Sequence, residues 1–428
     1  MTTKKFSTDF TLVVIGQIIS LFGNAILRFA LPLYLLRETN SPTLFGIVTA
    51  CSFLPMIILS FLGGILADRV NKRNIMVTLD FLTAGIITIL FLSIKTLPLV
   101  PLLLIVLMLL YGISGTYQPT VQASIPALVT GENILSASAI VNQVGSLAGL
   151  LGPIIGGMLF GAFGIMPILI ISIFCFLASA IMEIFIHIPF KKRNMDIGIL
   201  AMIKADLHDS ARYMKCEKPI LMKLIGLIAI FNLVLTAMLI VGTPILIIET
   251  LQMSDELLGL SQGILALGGL CGGILTAMLS QKIKLENSYR LLLLCSLSVG
   301  AMAVPLLLNL SHTISYVVIT VACFVIMGLA TMFSIQIIAT VQTETPPELL
   351  GKVIALMMSV SMCAQPIGQA VYGIVFDHFA DHTGIILLIV ALLSAFISIF
   401  ANQTAGHTAN CCRNQPSKSQ RISRNHRK

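Results

Sequence analysis

Residues 63–73 read GGILADRVNKR. On either side the chain runs for about the length of a membrane span almost without charge, and here it places Asp68, Arg69, Lys72 and Arg73 within six residues. A glycine-rich helix end, one acid and a cluster of bases are the parts needed to latch two membrane helices together at a turn. Gly64 lets helices approach closely. A carboxylate at this depth needs a partner, either a neighbouring helix N-terminus or Arg69. The bases hold the turn at the anionic headgroups.

The rest of the chain carries this reading outward. Hydrophobic residues make up 57% of the 428-residue chain and charged residues 10%, with a mean hydropathy of +0.99. Soluble domains carry about 25% charge, so the solvent for this chain is lipid. A membrane helix needs about 20 mostly apolar residues. Twelve such segments lie near 10–36, 42–67, 74–94, 98–122, 136–162, 165–188, 220–249, 256–280, 288–309, 313–341, 350–376 and 383–402. They are apolar all round and lack the two-residue alternation of a membrane β-barrel. The first is too long for a cleaved signal and carries Arg28 deep inside, so it reads as a span.

Orientation follows the bases. With both termini in the cytoplasm, 23 Lys and Arg fall inside and only Arg37 and Lys95 outside. An odd number of spans would break this pattern. The net charge of +8 sits in clusters at membrane edges, which argues for lipid contact and against nucleic acid. The nine cysteines make no metal or disulfide framework; most stand singly within spans as small apolar residues.

The chain divides into a six-helix bundle at 1–188, a cytoplasmic linker with an amphipathic helix at 189–219, a second six-helix bundle at 220–403 and a basic disordered tail at 404–428. The halves echo each other weakly, GPIIGG at 152–157 against QPIGQ at 365–369. Two related six-helix halves are the internal symmetry of alternating-access transporters.

Polar residues inside the spans mark a candidate cavity. Gln17, Asn24 and Arg28 share one face of the first span. Tyr111, Ser114, Gln118 and Gln122 share one of the fourth, Asn232, Thr236 and Thr243 one of the seventh, and Gln365 and Gln369 one of the eleventh. A lone Arg in lipid faces a cavity or finds a partner; for a single Gln or Thr, an interhelical hydrogen bond serves equally well. Few acids are placed to carry a proton. The candidates are Asp68, Asp80 in the third span and Glu183 in the sixth, near its inner end where it could snorkel. No strongly acidic mid-membrane constellation is visible, which disfavours a dedicated large-cation pump; Arg28 leaves neutral or anionic substrates open.

Gly64, Leu66, Ala67, Asp68, Arg69, Lys72 and Arg73 resemble motif A of the major facilitator superfamily, G-x-L-A-D-R-x-G-R-K, with Asn71 in place of the second glycine. Asn is the next most tolerant residue of a left-handed turn, the conformation expected there. Gly152, Pro153, Gly156 and Gly157 resemble the end of motif C, found in proton-coupled exporters of the family, although its upstream glycines fall on Ala139 and Ala148. The runs at 118–140 and 339–356 look most like the macrolide-efflux and enterobactin-exporter branch.

This resemblance implies a twelve-helix, all-α transporter that exports hydrophobic or amphipathic molecules against a proton gradient. It also implies a motif A latch that stabilises the outward-facing state, and a bacterial inner membrane as its site. The expected partners are a small-molecule substrate, protons and lipid, with the chain a monomer and no cofactor beyond the gradient. The rivals are a siderophore or lysolipid exporter, uptake symport, and a non-transporting sensor or scaffold. There is no P-loop, so ATP does not drive transport directly. No enzyme signature is present; Asp377, His378, Asp381 and His382 read as a hydrated polar turn.

Overall fold

The computed structural model describes residues 7–129, 131–189, 212–215, 218–279 and 288–413, with the side chains of 61, 64, 65, 67–69, 132, 288, 347, 348 and 400–413 left out of the description. The helices are α1 (Thr8–Thr39), α2 (Pro42–Arg69), α3 (Lys72–Ser93), α4 (Leu99–Leu128), α5 (Ile134–Phe163), α6 (Ile165–Ile184), α7 (Pro219–Thr250), α8 (Asp255–Leu279), α9 (Ser288–Leu307), α10 (His312–Glu344), α11 (Pro347–His378) and α12 (Thr383–Arg413). All twelve are long and apolar enough to cross a membrane, so the chain is a multi-pass membrane protein. The continuation of α12 to Arg413 makes the first part of the segment read as a tail helical. Most of the linker read as an amphipathic helix lies outside the described residues.

The helix ends follow their local chemistry. Ser7, Ser41 and Ser311 accept from the backbone N–H three residues on and start α1, α2 and α10. Asn40 turns left-handed at φ 46° to end α1. The turn after motif A differs from expectation. Asn71 has φ −61° and ψ 119°, and its side chain accepts from Arg73 N at 3.0 Å. It is the N-cap of α3, so Asn is used here for its side-chain oxygen and not for left-handed tolerance.

Helices α1, α5 and α6 pack together in the first half, as do α2 with α4 and α3 with α6; in the second half the pairs are α7 with α11, α8 with α10, and α9 with both α10 and α12. The halves meet along α2–α11 and α5–α8. Both seams are tightest at the end of the molecule opposite the α2–α3 turn, here called the far end. A methyl on Gly46 would lie 2.7 Å from Gly373 Cα, and one on Gly157 would lie 2.9 Å from Gly259 Cα. Only glycine permits backbones to approach so closely. Polar contacts between the halves lie at the same end: Arg37 pairs with Asp255 at 2.8 Å and donates to Met253 O, and Ser41 donates to Asp377 at 3.3 Å.

Candidate functional site

The polar face of α1 organises the interior of the first half. Gln17, Ser20, Asn24 and Arg28 recur at three- and four-residue spacing, which brings them onto one side of the helix. Asn24 Nδ2 donates to Ser114 Oγ on α4 at 2.7 Å. The Arg28 guanidinium lies 3.8 Å from the centre of the Tyr111 ring, and that ring packs on Phe53 with centres 4.9 Å apart. Among the described residues no carboxylate pairs with Arg28.

A cavity of about 350 Å³ opens beside this face, walled by Asn24, Arg28, Asp80, Tyr117 and Gln118 among others. A second, of about 310 Å³, lies between the halves against Tyr111, Ile240, Leu258 and Gln262. Ala25, Arg28 and Gly149 border both, so Arg28 stands where they join.

The two acids expected to act separately converge. Asp80 on α3 accepts from Ser20 Oγ at 3.0 Å. Glu183 on α6 accepts from Tyr117 OH at 2.8 Å. Ser20 also reaches the Tyr117 hydroxyl, and Ser179 reaches Asp80. Asp80 is 1% exposed, Tyr117 4% and Glu183 0%. Glu183 therefore does not snorkel to the interface, because its carboxylate is fixed by Tyr117 inside the bundle. The sequence shows these acids singly; the fold draws them together from separate helices, toward the end of the molecule that carries the α2–α3 turn. Ser20 and Tyr117 went unread. Ser20 stands between Gln17 and Asn24 on the marked face of α1, and a buried tyrosine hydroxyl in a span calls for a partner.

Other candidates divide. Gln17 and Gln369 have no exposed surface, so neither lines the cavity as expected; both amides are buried without a hydrogen bond to the described residues. Asn232 donates back to Ile228 O, and Gln122 pairs with Asn142 on α5. Gln365 is half-buried on α11. Thr243 is fully buried, 3.6 Å from Cys323 Sγ on α10. The π-helical segment Asn232–Thr236 precedes it, and each inserted residue rotates the remainder of the helix by about 100°.

In motif A, the backbone of Gly64, Asp68 and Arg69 belongs to α2, while the side chains of Asp68 and Arg69 lie outside the described residues. Lys72 opens α3, and Arg73 donates to Ile184 O at the end of α6. The motif C residues occupy the seams. Gly152 faces Ala25 and Gly156 faces Phe29, both on α1, whereas Gly157 and the Pro153 carbonyl face Gly259 on α8.

Twelve spans in two halves around a polar interior define a membrane transporter fold. The profile of the Major Facilitator Superfamily matches residues 13–369, and the chain belongs to that family, whose transporters bind small-molecule substrates. It is 25% identical over 382 residues to macrolide efflux protein A of Streptococcus pyogenes, covering 86% of this chain and 89% of that protein. It is 26% identical over 376 residues to the enterobactin exporter EntS of Salmonella typhi, covering 85% and 84%. Its fold matches the crystal structure of a bacterial homologue of the human lysosomal transporter Spinster, inward-facing and unoccupied. The TM-score is 0.70 at 13% identity, over 94% of this chain and 98% of that one. Fold and relatives are those of transporters.

Proposed function

We propose that this protein is a proton-coupled secondary transporter that exports hydrophobic or amphipathic small molecules by alternating access across a bacterial inner membrane. The observation that carries the reading is the buried carboxylate pair, Asp80 and Glu183, set beside the polar cavity of the first half. Ionisable groups inside a membrane are costly and are placed where ions or substrates move. With the α2–α3 turn on the cytoplasmic side, the closed far end is the outer gate and the cavity is loaded from the cell interior. The efflux relatives support the direction of transport.

Arg28 favours a second reading, export of a particular anionic metabolite such as a siderophore. A guanidinium held over an aromatic ring, with no carboxylate partner among the described residues, repels a cationic amphiphile and attracts an acid.

The test is an efflux-deficient bacterium expressing the chain, challenged with macrolides, dyes and organic acids, with and without a protonophore. Lower accumulation that collapses with the gradient is expected. Unchanged accumulation of every compound, with membrane expression verified, would discard the broad-export reading.

A further inference from the structure

We propose that Ser20 and Tyr117 join Asp80 and Glu183 into a single proton relay, in which Asp80 exchanges protons with the cavity and Glu183 holds them out of its reach. The proposal rests on the proton-coupled reading only for its use in transport; the relay itself is built from the four side chains.

The geometry is a chain of short steps. Asp80, Ser20 and Tyr117 all border the cavity, whereas Glu183 does not. From the cavity wall the links run Asp80 to Ser20 at 3.0 Å, Ser20 to the Tyr117 hydroxyl on the same wall, and Tyr117 to Glu183 at 2.8 Å. One member comes from each of α3, α1, α4 and α6. The second oxygen of each acid, Asp80 Oδ2 and Glu183 Oε2, is buried with no hydrogen bond from the described residues. A buried polar atom left unpaired calls for an explanation, and a carboxyl that gains and loses a proton supplies one.

The groups that contact the pair, Ser20 on α1, Tyr117 on α4 and Ser179 on α6, are neutral; the charged group on the same cavity wall is Arg28, which stacks on Tyr111. The base nearest in sequence on α3, Arg73, donates to Ile184 O. Among the described residues neither acid forms an ion pair with Lys or Arg. Two charged carboxylates here would each carry a desolvation penalty of several kcal/mol, so the network holds a proton that either acid can accept.

The transfer balances without any other reactant. The Asp80 O–H bond breaks as Ser20 Oγ takes its proton. Ser20 passes its own proton to the Tyr117 oxygen, and Tyr117 passes its proton to Glu183 Oε1. Both hydroxyls are restored, Asp80 ends as the carboxylate and Glu183 as the acid. Glu183 does not border the cavity, so protons reach it through Tyr117, fed by Ser20 and Asp80 on the cavity wall.

The test monitors the carboxyl C=O stretch by infrared difference spectroscopy on the full chain in liposomes, with D80N and E183Q assigning the bands. On transfer from water to deuterated water, Y117F and S20A are each expected to slow exchange of the Glu183 carboxyl by about tenfold or more while leaving Asp80 within about twofold. The two variants remove one hydroxyl each and keep the packing, so agreement between them separates loss of the path from loss of the fold. Unchanged Glu183 exchange in both would overturn the relay, as would an E183Q spectrum that loses no band. Slowed exchange combined with export that is indifferent to a protonophore would keep the relay and discard proton-driven export.

Discussion

Asp80 and Glu183 were each legible as a charge inside an apolar run, because a carboxylate in lipid must have a reason. Their meeting was not legible. It depends on α1 and α4 supplying hydroxyls from 60 residues before Asp80 and 66 before Glu183, a juxtaposition that no spacing along one helix encodes. Asp80→Asn is expected to weaken the pH dependence of transport more than substrate binding, measured as gradient-driven transport against equilibrium binding; an unchanged pH profile would remove Asp80 from the proton path. Arg28 was found by the same reasoning, and its stack on Tyr111 shows where its charge is offset. That contact is worth about 0.5–2 kcal/mol, so Arg28→Lys should keep part of the function. Arg28→Ala should shift substrate preference away from acids, or abolish transport, in the same compound panel. A neutral result for both would demote Arg28 to packing.

At the scale of elements, the glycines of the fifth span were read from a motif, and the seams explain what they do. Gly152 and Gly156 seat α5 on α1 while Gly157 meets Gly259 of α8, so one short stretch serves two neighbours. Gly46 and Gly373 do the same work between α2 and α11 without any motif to announce them. Gly157→Val is expected to cost the closed far end about 1–3 kcal/mol through overpacking. Labelling of cysteines placed around Ser41 should then rise from the far side, and no change in labelling would show that the seam tolerates the added volume. The stripe read on α7 fails for a physical reason. The segment Asn232–Thr236 is π-helical, so a 3.6-residue count carried past it assigns the wrong face.

For the whole molecule, hydropathy is enough to give the number of spans, since lipid imposes it on composition. Which end is shut was hidden, because the same sequence must serve both states. The ion pair Arg37–Asp255 belongs to the state described here, and motif A, at the opposite end, is expected to belong to the other. Since Arg37 is 37% exposed, Arg37→Ala should shift the balance toward an open far end by no more than about 1 kcal/mol. Distances between spin labels across the two halves would register that shift. Asp68→Asn should move the same distances the opposite way and impair transport while leaving insertion intact; wild-type transport by that variant would remove the latch.

The glycine seams have a consequence for leakage. Where backbone meets backbone with no side chain between, attraction is dispersion over flat, rigid surfaces. A gap of only 0.5–1 Å forfeits about a quarter to a half of it. Such a closure cannot stretch. It is either made or lost, so a half-parted far end has little to stabilise it and bistable packing is favoured over gradual widening. A carrier built this way spends almost no time with both ends ajar, and ions have no continuous water column through which to short-circuit the membrane.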